Sequence, residues 1–309
     1  MRPVRVLVTG ARGQVGLDLV DMLHAVTPPG ADIDFQPDDR PVDVNEFEVL
    51  ALGHHELDIT QGAAVRHAVA VARPDVIVHL AAYTAVDRAE SDVETCFSVN
   101  AEATGTLSVA AAESGAHLIA ISTDYVFDGE KGSAYAEHDS TNPLSVYGAS
   151  KRAGEMRCRE NDTIVRTSWV MGVRGKNVLH AIAQRAVSGE MVRFVDDQIG
   201  TVTVASDLAR SLITLVRERP GGVWHVANVG ATTWFDVAHH AGEVLGRGRD
   251  FATPISTSDL VPAPVAQRPR RSDLATSHWQ ENWRVLPDWR EGVARLAREI
   301  SAGGGVSRG

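Results

Sequence analysis

The sequence predicts an α/β protein built on a doubly wound parallel sheet, with a smaller carboxyl-terminal lobe. Three features predict it. A β-branched run, Val4 to Val8, passes through a glycine-bearing turn into helical spacing. Short apolar runs then alternate with amphipathic stretches as far as Thr167, the pattern of parallel strands joined by crossover helices. Beyond Thr167 the alternation loses its regularity, which points to a second lobe. The expected division is a first domain over 1–170, to which 201–228 returns, a lobe made of 171–200 and 229–300, and a flexible tail at 301–309.

The 309 residues suffice for a substantial core, and 44% hydrophobic with 23% charged content is ordinary for a globular protein. A formal net charge of -10 argues against general binding to nucleic acid or to acidic membrane, both of which call for a basic face. An anionic small molecule would need a local basic pocket. The amino terminus enters the Val4 run without a signal-peptide layout, and no apolar run is long enough to cross a bilayer, so a cytoplasmic location is expected. Cys96 and Cys158 have no partner at metal-ligand spacing and read as neutral thiols.

The first strand ends at Thr9-Gly10-Ala11-Arg12-Gly13-Gln14-Val15-Gly16, and Leu17, Leu19, Val20 and Leu23 continue with helical spacing. Gly10 permits a tight turn, Gly13 lets backbone N–H groups approach a pyrophosphate, and Gly16 lets the helix pack on the strand. With Arg12, Gln14 and Val15 they read as the phosphate turn of a Rossmann-type dinucleotide domain, although G-x-x-G-x-x-G departs from G-x-G-x-x-G. Residues 27–47, rich in proline and aspartate, predict a long and partly disordered surface loop. A second strand, Glu48 to Leu52, ends in Gly53-His54-His55 rather than in the acid expected to bind a ribose. The site then need not reject a 2′-phosphate, which Arg12 or a histidine could take.

Asp58 and Ile59 stand where an adenine contact is expected, ahead of a helix from Ala63 to Ala72. Asp75 to Ala82 reads as a buried strand whose small residues leave room for a cofactor, followed by Tyr83, Thr84 and Val86 in a loop. A long helix, Val93 to Ser114, leads to a strand from His117 to Ser122. Hydroxyls at such a strand end face the crevice, which singles out Thr123 ahead of Asp124 and Tyr125. A loop from Phe127 to Leu144 delivers the next helix. On it Tyr147 and Lys151 share one face, and an adjacent ammonium would favour the phenolate. A strand from Thr163 to Thr167 then runs into Trp169, which reads equally well as core or as a ligand platform.

The remaining elements are a helix Asn177–Ser188, a short strand Val192–Val195, a polar loop Asp196–Gly200, a helix Ser206–Arg217 capped by Ser206, and a strand Gly222–Val226. They continue with a helix Trp234–Leu245, a proline-rich connection Pro254–Pro269, and a final helix from Asp288 to about Ile300. Arg268, Arg270 and Arg271 form either a solvated cluster or a diphosphate clamp, with Arg268 the better placed.

Thr9 to Gly16, Thr123 and Tyr147-x-x-x-Lys151, in this order on these elements, resemble the extended short-chain dehydrogenase/reductase family. Ala81 to Asp87, Ser122 to Phe127, Val146-Tyr147-Gly148, Arg166 to Val170, Asp197-Gln198 and Leu286 to Trp289 are similar, more narrowly, to the dTDP-4-dehydrorhamnose reductases. The resemblance covers nearly the whole chain except the acidic loop. It implies reduction of the C4 keto group of dTDP-4-dehydro-L-rhamnose to dTDP-L-rhamnose with NADPH or NADH, a step toward cell-wall polysaccharide.

It further implies that Lys151 binds the nicotinamide ribose and helps lower the pKa of Tyr147, which donates a proton to the substrate oxygen while Thr123 hydrogen-bonds it. Ala82, Tyr83 and Thr84 would border the cofactor. Trp169 would pack on the sugar beside Thr84, Val86 and Asp124, and Asn177, Gln198 and Arg268 would face the dTDP portion. Gly53 replaces the ribose-contacting acid of the family, so strict NADH preference is not expected. The carboxylate set that binds Mg2+ at the dimer contact of some members is not intact, which leaves both Mg2+ and a homodimer unassigned. Two rivals stay open. An epimerase or dehydratase of nucleotide sugars is one, although a dehydratase commonly adds an acid pair where this chain has Asp124-Tyr125. A non-catalytic dinucleotide-binding subunit of the methionine adenosyltransferase type is the other, and the intact Thr123, Tyr147 and Lys151 set weighs against it.

Overall fold

The computed structural model describes residues 2–32 and 34–303, so most of the expected tail lies outside the described residues. Six parallel strands form the main sheet: β1 (Val4–Thr9), β2 (Phe47–Leu52), β3 (Val76–His79), β4 (His117–Thr123), β5 (Thr163–Thr167) and β6 (Gly222–His225). Their spatial order is β6-β5-β4-β3-β1-β2. The chain steps outward from β1 to β2 and then crosses back to β3 on the other side of β1. In a parallel sheet, such a reversal opens a crevice beyond the strand carboxyl ends.

The long helices are α1 (Gln14–Leu23), α2 (Gly62–Ala72), α3 (Ala103–Ser114), α4 (Val146–Glu155), α5 (Val178–Ser188), α6 (Ala205–Glu218), α7 (Trp234–Val244) and α8 (Trp289–Ala302). Strand alternation sends Val6, Val8, Val76 and Val78 to the face covered by α1 and α6. Leu7, Ile77 and Leu118 go to the face covered by α2 and α3. Both faces are buried, which is why these strands read as near-continuous apolar runs. A separate core joins Leu179 and Ile182 of α5, Val237 and Ala241 of α7, and Val293 and Leu296 of α8.

Several expectations are corrected. The 27–47 segment is tied down: Phe35 is buried in the core under α1 and α6, and the buried Arg217 guanidinium donates to Asp38 at 2.9 Å and to Glu46 at 2.7 Å. The expected Val93–Ser114 helix is broken into Val93–Phe97, a π-helical turn Ser98–Glu102, and α3. Helix α6 begins one residue early, with Val204 at the cap position and its N–H held by Asn228 Oδ1 at 2.8 Å. Ser206 is therefore no cap, and its buried hydroxyl has no partner among the described residues. Ile199–Thr201 of the supposed polar loop pairs with Ala231–Thr233, and Ala252–Ile255 at the edge of the proline-rich connection pairs with Val192–Val195. A short helix at Ser277–Asn282 has no counterpart in the sequence reading.

Candidate active site

A cleft of about 1080 Å³ runs across the carboxyl ends of β1 to β5. Gly10, Gly13 and Gly16 line one side of it with Arg12, Gln14 and Val15. Gly10 sits at φ +69°, and a Cβ there would lie 2.4 Å from the Ala81 nitrogen. A Cβ on Gly16 would lie 2.4 Å from the Gly10 carbonyl oxygen, so both close approaches demand glycine. Helix α1 starts without a side-chain cap, which leaves its first N–H groups and positive dipole end for an anion. This donor set fits the diphosphate of a dinucleotide.

Asp58 and Ile59 line the same cleft, with Asp58 Oδ1 accepting from the Thr60 N–H at 3.0 Å and the Thr60 hydroxyl at 2.7 Å. Past β2, Gly53 and His54 border it. Three residues past Gly53, Glu56 accepts from the Gly53 N–H at 2.9 Å and from Arg12 Nη2 at 3.0 Å, although it does not itself line the cleft. The Arg12 guanidinium holds this carboxyl below its usual range.

Ala82, Tyr83 and Thr84 form the wall beyond β3 and lead to Thr123, Tyr147 and Lys151. Ser145 caps α4 by accepting from the Gly148 N–H at 3.2 Å. The Tyr147 ring meets Tyr125 edge-on, with centroids 6.0 Å apart. Lys151 Nζ donates to the Ile121 carbonyl at 2.9 Å, and burial lowers the ammonium to about 8. Burial raises the Tyr147 phenol above its ordinary value, and the neighbouring Thr123 hydroxyl offsets only part of that rise. In the ligand-free cleft the Lys151 ammonium is directed at a main-chain carbonyl, and desolvation dominates at the Tyr147 phenol. A neutral phenol is a proton donor.

Thr123 Oγ1 accepts from the Tyr125 N–H at 3.2 Å and donates to Asp124 Oδ1 at 3.0 Å. Asp124 is buried, and burial raises its carboxyl to about 7. Below the cleft floor, Arg166 grips Glu155 with two bonds of 2.8 Å, and Glu155 accepts from Ser122 at 2.5 Å. This buried pair joins α4 to β4 and β5 under Lys151.

The family described as the RmlD substrate binding domain matches residues 4–302. A dTDP-4-dehydrorhamnose reductase of Burkholderia thailandensis is 36% identical, over 96% of this chain and 99% of its own length. One from Escherichia coli K12 is 35% identical over 96% of this chain and 98% of its own. The chain belongs to the dTDP-4-dehydrorhamnose reductase family. Its fold also superposes on the Bacillus anthracis dTDP-4-dehydrorhamnose reductase solved in complex with NADP, with a TM-score of 0.85, 32% identity, and 97% and 100% of the two chains covered.

Against this reductase framework, the substrate-side expectations divide. Trp169 lines the cleft with φ +44°, its indole stacked on Trp234 at 4.1 Å. A Cβ on Gly200 would lie 2.7 Å from that indole, so glycine makes room for it. Val86, Asp124, Asn177, Gln198 and Arg268 stand outside the cleft lining. Asn177 is turned to the Gln14 side chain at 2.7 Å and the Gly172 carbonyl at 2.8 Å, and it caps α5. Gln198 donates to the Thr257 hydroxyl at 2.9 Å, and Arg268 forms a two-bond pair with Asp87. Each of these polar groups has found a protein partner, which the sequence could not reveal.

Asn100 was missed. From the π-turn its side chain accepts from the Tyr83 N–H at 2.9 Å and donates to the Tyr83 carbonyl at 3.0 Å and to Ser150 at 2.9 Å. It thereby fixes the cleft wall to the Tyr147 helix. The one available signal was a polar residue on a helical face otherwise made of small and apolar side chains. Among the described residues no group of three or more His, Cys, Asp or Glu is placed to hold a metal ion, and no helix is long and apolar enough to cross a membrane.

Proposed function

We propose that this chain reduces the C4 keto group of dTDP-4-dehydro-L-rhamnose to dTDP-L-rhamnose, with NADPH or NADH, in the cytoplasm. The observation that carries this reading is that one cleft contains both the glycine turn and the Thr123, Tyr147 and Lys151 set, in a chain similar over its length to reductases of that name. A bound nicotinamide dinucleotide supplies the hydride. The glycine turn and the N–H groups of α1 bind its diphosphate, and Lys151 binds the nicotinamide ribose.

Tyr147 supplies the proton to the carbonyl oxygen, a role that its raised pKa suits, since the phenol stays protonated at neutral pH. Thr123 steadies the oxygen as charge develops, and to do so its hydroxyl must turn from Asp124. Trp169 and Thr84 pack against the sugar. Arg268 serves the dTDP diphosphate by exchanging one or both of its bonds to Asp87, which supplies the local basic group that an acidic protein needs.

The test is cofactor oxidation by the purified protein at 340 nm, with and without the keto sugar. NAD(P)H should be consumed only when dTDP-4-dehydro-L-rhamnose is present, and Tyr147→Phe should lose most turnover while still binding cofactor. Undiminished turnover in the Phe variant would sink the assigned proton donor. Inert wild-type protein that still binds dinucleotide would favour a binding-only subunit.

A further inference from the structure

Glu56, outside the cleft lining itself, is bonded to two groups that line it, Arg12 and the Gly53 backbone. Its Oε2 accepts from the Gly53 N–H at 2.9 Å and its Oε1 from Arg12 Nη2 at 3.0 Å. Two donors from different elements, the end of β2 and the glycine turn, therefore converge on one carboxylate. Arg12 and Gly53 line the cleft on its β1–β2 side, whereas Thr123 follows from β4, two strands beyond β1. A Cβ at position 53 would fall 2.6 Å from Arg12 Cγ and 2.7 Å from Glu56 Oε2, so glycine is what allows the three groups to close together. The pair is solvated, with side-chain exposures of 73% and 39%, and exposed pairs of this kind exchange partners easily.

We propose that Glu56 sets cofactor preference by filling the anion site that the 2′-phosphate of NADPH would use. In dinucleotide folds an acid near the second strand accepts from the ribose 2′-hydroxyl, while an arginine accommodates a 2′-phosphate. Here the two groups are bonded to each other. NADH leaves Glu56 in place to accept from the ribose, whereas NADPH must displace it to reach Arg12 and the Gly53 N–H. The chain is thus built to accept both cofactors, with a penalty on NADPH that resides in a single carboxylate.

The inference rests on the proposed function only in taking this cleft to be the dinucleotide site, and its test needs no sugar substrate. Calorimetric titration of the full chain with NADP+ and with NAD+ gives both dissociation constants for wild type, Glu56→Gln and Arg12→Gln, with circular dichroism confirming that each variant is folded. Glu56→Gln should tighten NADP+ and weaken NAD+, changing their affinity ratio by about ten-fold toward NADP+. Arg12→Gln should weaken NADP+ by about ten-fold more than it weakens NAD+. A ratio in Glu56→Gln within two-fold of wild type, or shifted toward NAD+, overturns the inference while leaving the reductase reading intact. Failure of the wild type to bind either dinucleotide overturns both.

Discussion

Ser272 Oγ donates to Asp124 Oδ2 at 2.6 Å, so the loop that carries Arg268 closes on the same carboxylate that holds the Thr123 hydroxyl. All three side chains are buried. Asp124 therefore links the carboxyl-terminal loop to the hydroxyl nearest Tyr147, and it does so without lining the cleft itself.

Removing the Ser272 hydroxyl should leave one oxygen of a buried carboxylate short of a donor and loosen the orientation of Thr123. The expected cost in Ser272→Ala is about ten-fold in kcat, equivalent to roughly 1.4 kcal/mol and typical of one lost hydrogen bond to a charged group. Steady-state kinetics check it. Full turnover with a raised KM alone would mean that Ser272 shapes the substrate loop and not the catalytic threonine.

The raised carboxyl of Asp124 gives stability a defined pH dependence. Its folded value of about 7 lies above the ordinary 3.8, so its contribution is fully present below about pH 4 and is lost as pH rises through 7. Asp124→Asn removes this titration. The melting temperature of the Asn variant relative to wild type should accordingly climb between pH 4 and pH 8. A difference that stays flat over that range would show that Asp124 is already ionised in the folded protein.

Gly148 follows Tyr147 at a point where the chain has no room. A Cβ there would lie 2.1 Å from the Tyr125 carbonyl oxygen, which is backbone and cannot rotate away. Gly148→Ala must shift the start of α4 and carry Tyr147 with it. Since a misplacement on the order of 1 Å can cost about 100-fold, kcat/KM should fall by roughly that factor while the dinucleotide still binds. Wild-type kcat/KM in this variant would show that the position of the phenol is not critical.

Arg217 is the clasp of the 27–47 segment. Its loss leaves the buried Asp38 without its main cation and frees Glu46. Breaking a buried pair of this kind costs about 3 kcal/mol, or roughly 5 °C in Tm for a protein of this size. Arg217→Ala should show that drop together with new proteolytic cuts between residues 27 and 47. Unchanged protection would mean that the remaining ties, Phe35 in the core and the carbonyls of Gly30 and Asp34 held by Arg295 and Arg284, suffice to retain the segment.

The acidic loop also shows where the sequence stops being informative. Its prolines and aspartates are what a disordered segment contains, and it is tertiary contacts, such as Phe35 with the sheet core and Asp38 with an arginine far along the chain, that make it ordered. The roles of Asn100 and Ser272 were hidden for the same reason. Each is an ordinary polar residue in sequence, and each gains its role from a partner on another element.

By itself, the sequence determined the sheet strands, the glycine turn and the placement of Tyr147 and Lys151 one helical turn apart, because strand alternation, the turn and helical spacing are all written within a few neighbouring residues. The tertiary structure alone decided where the charges point. Lys151 turns to the Ile121 carbonyl, Arg268 to Asp87, and Glu56 back to Gly53 and across to Arg12. Desolvation and partner choice depend on which distant segments meet, and no local window of sequence holds that information.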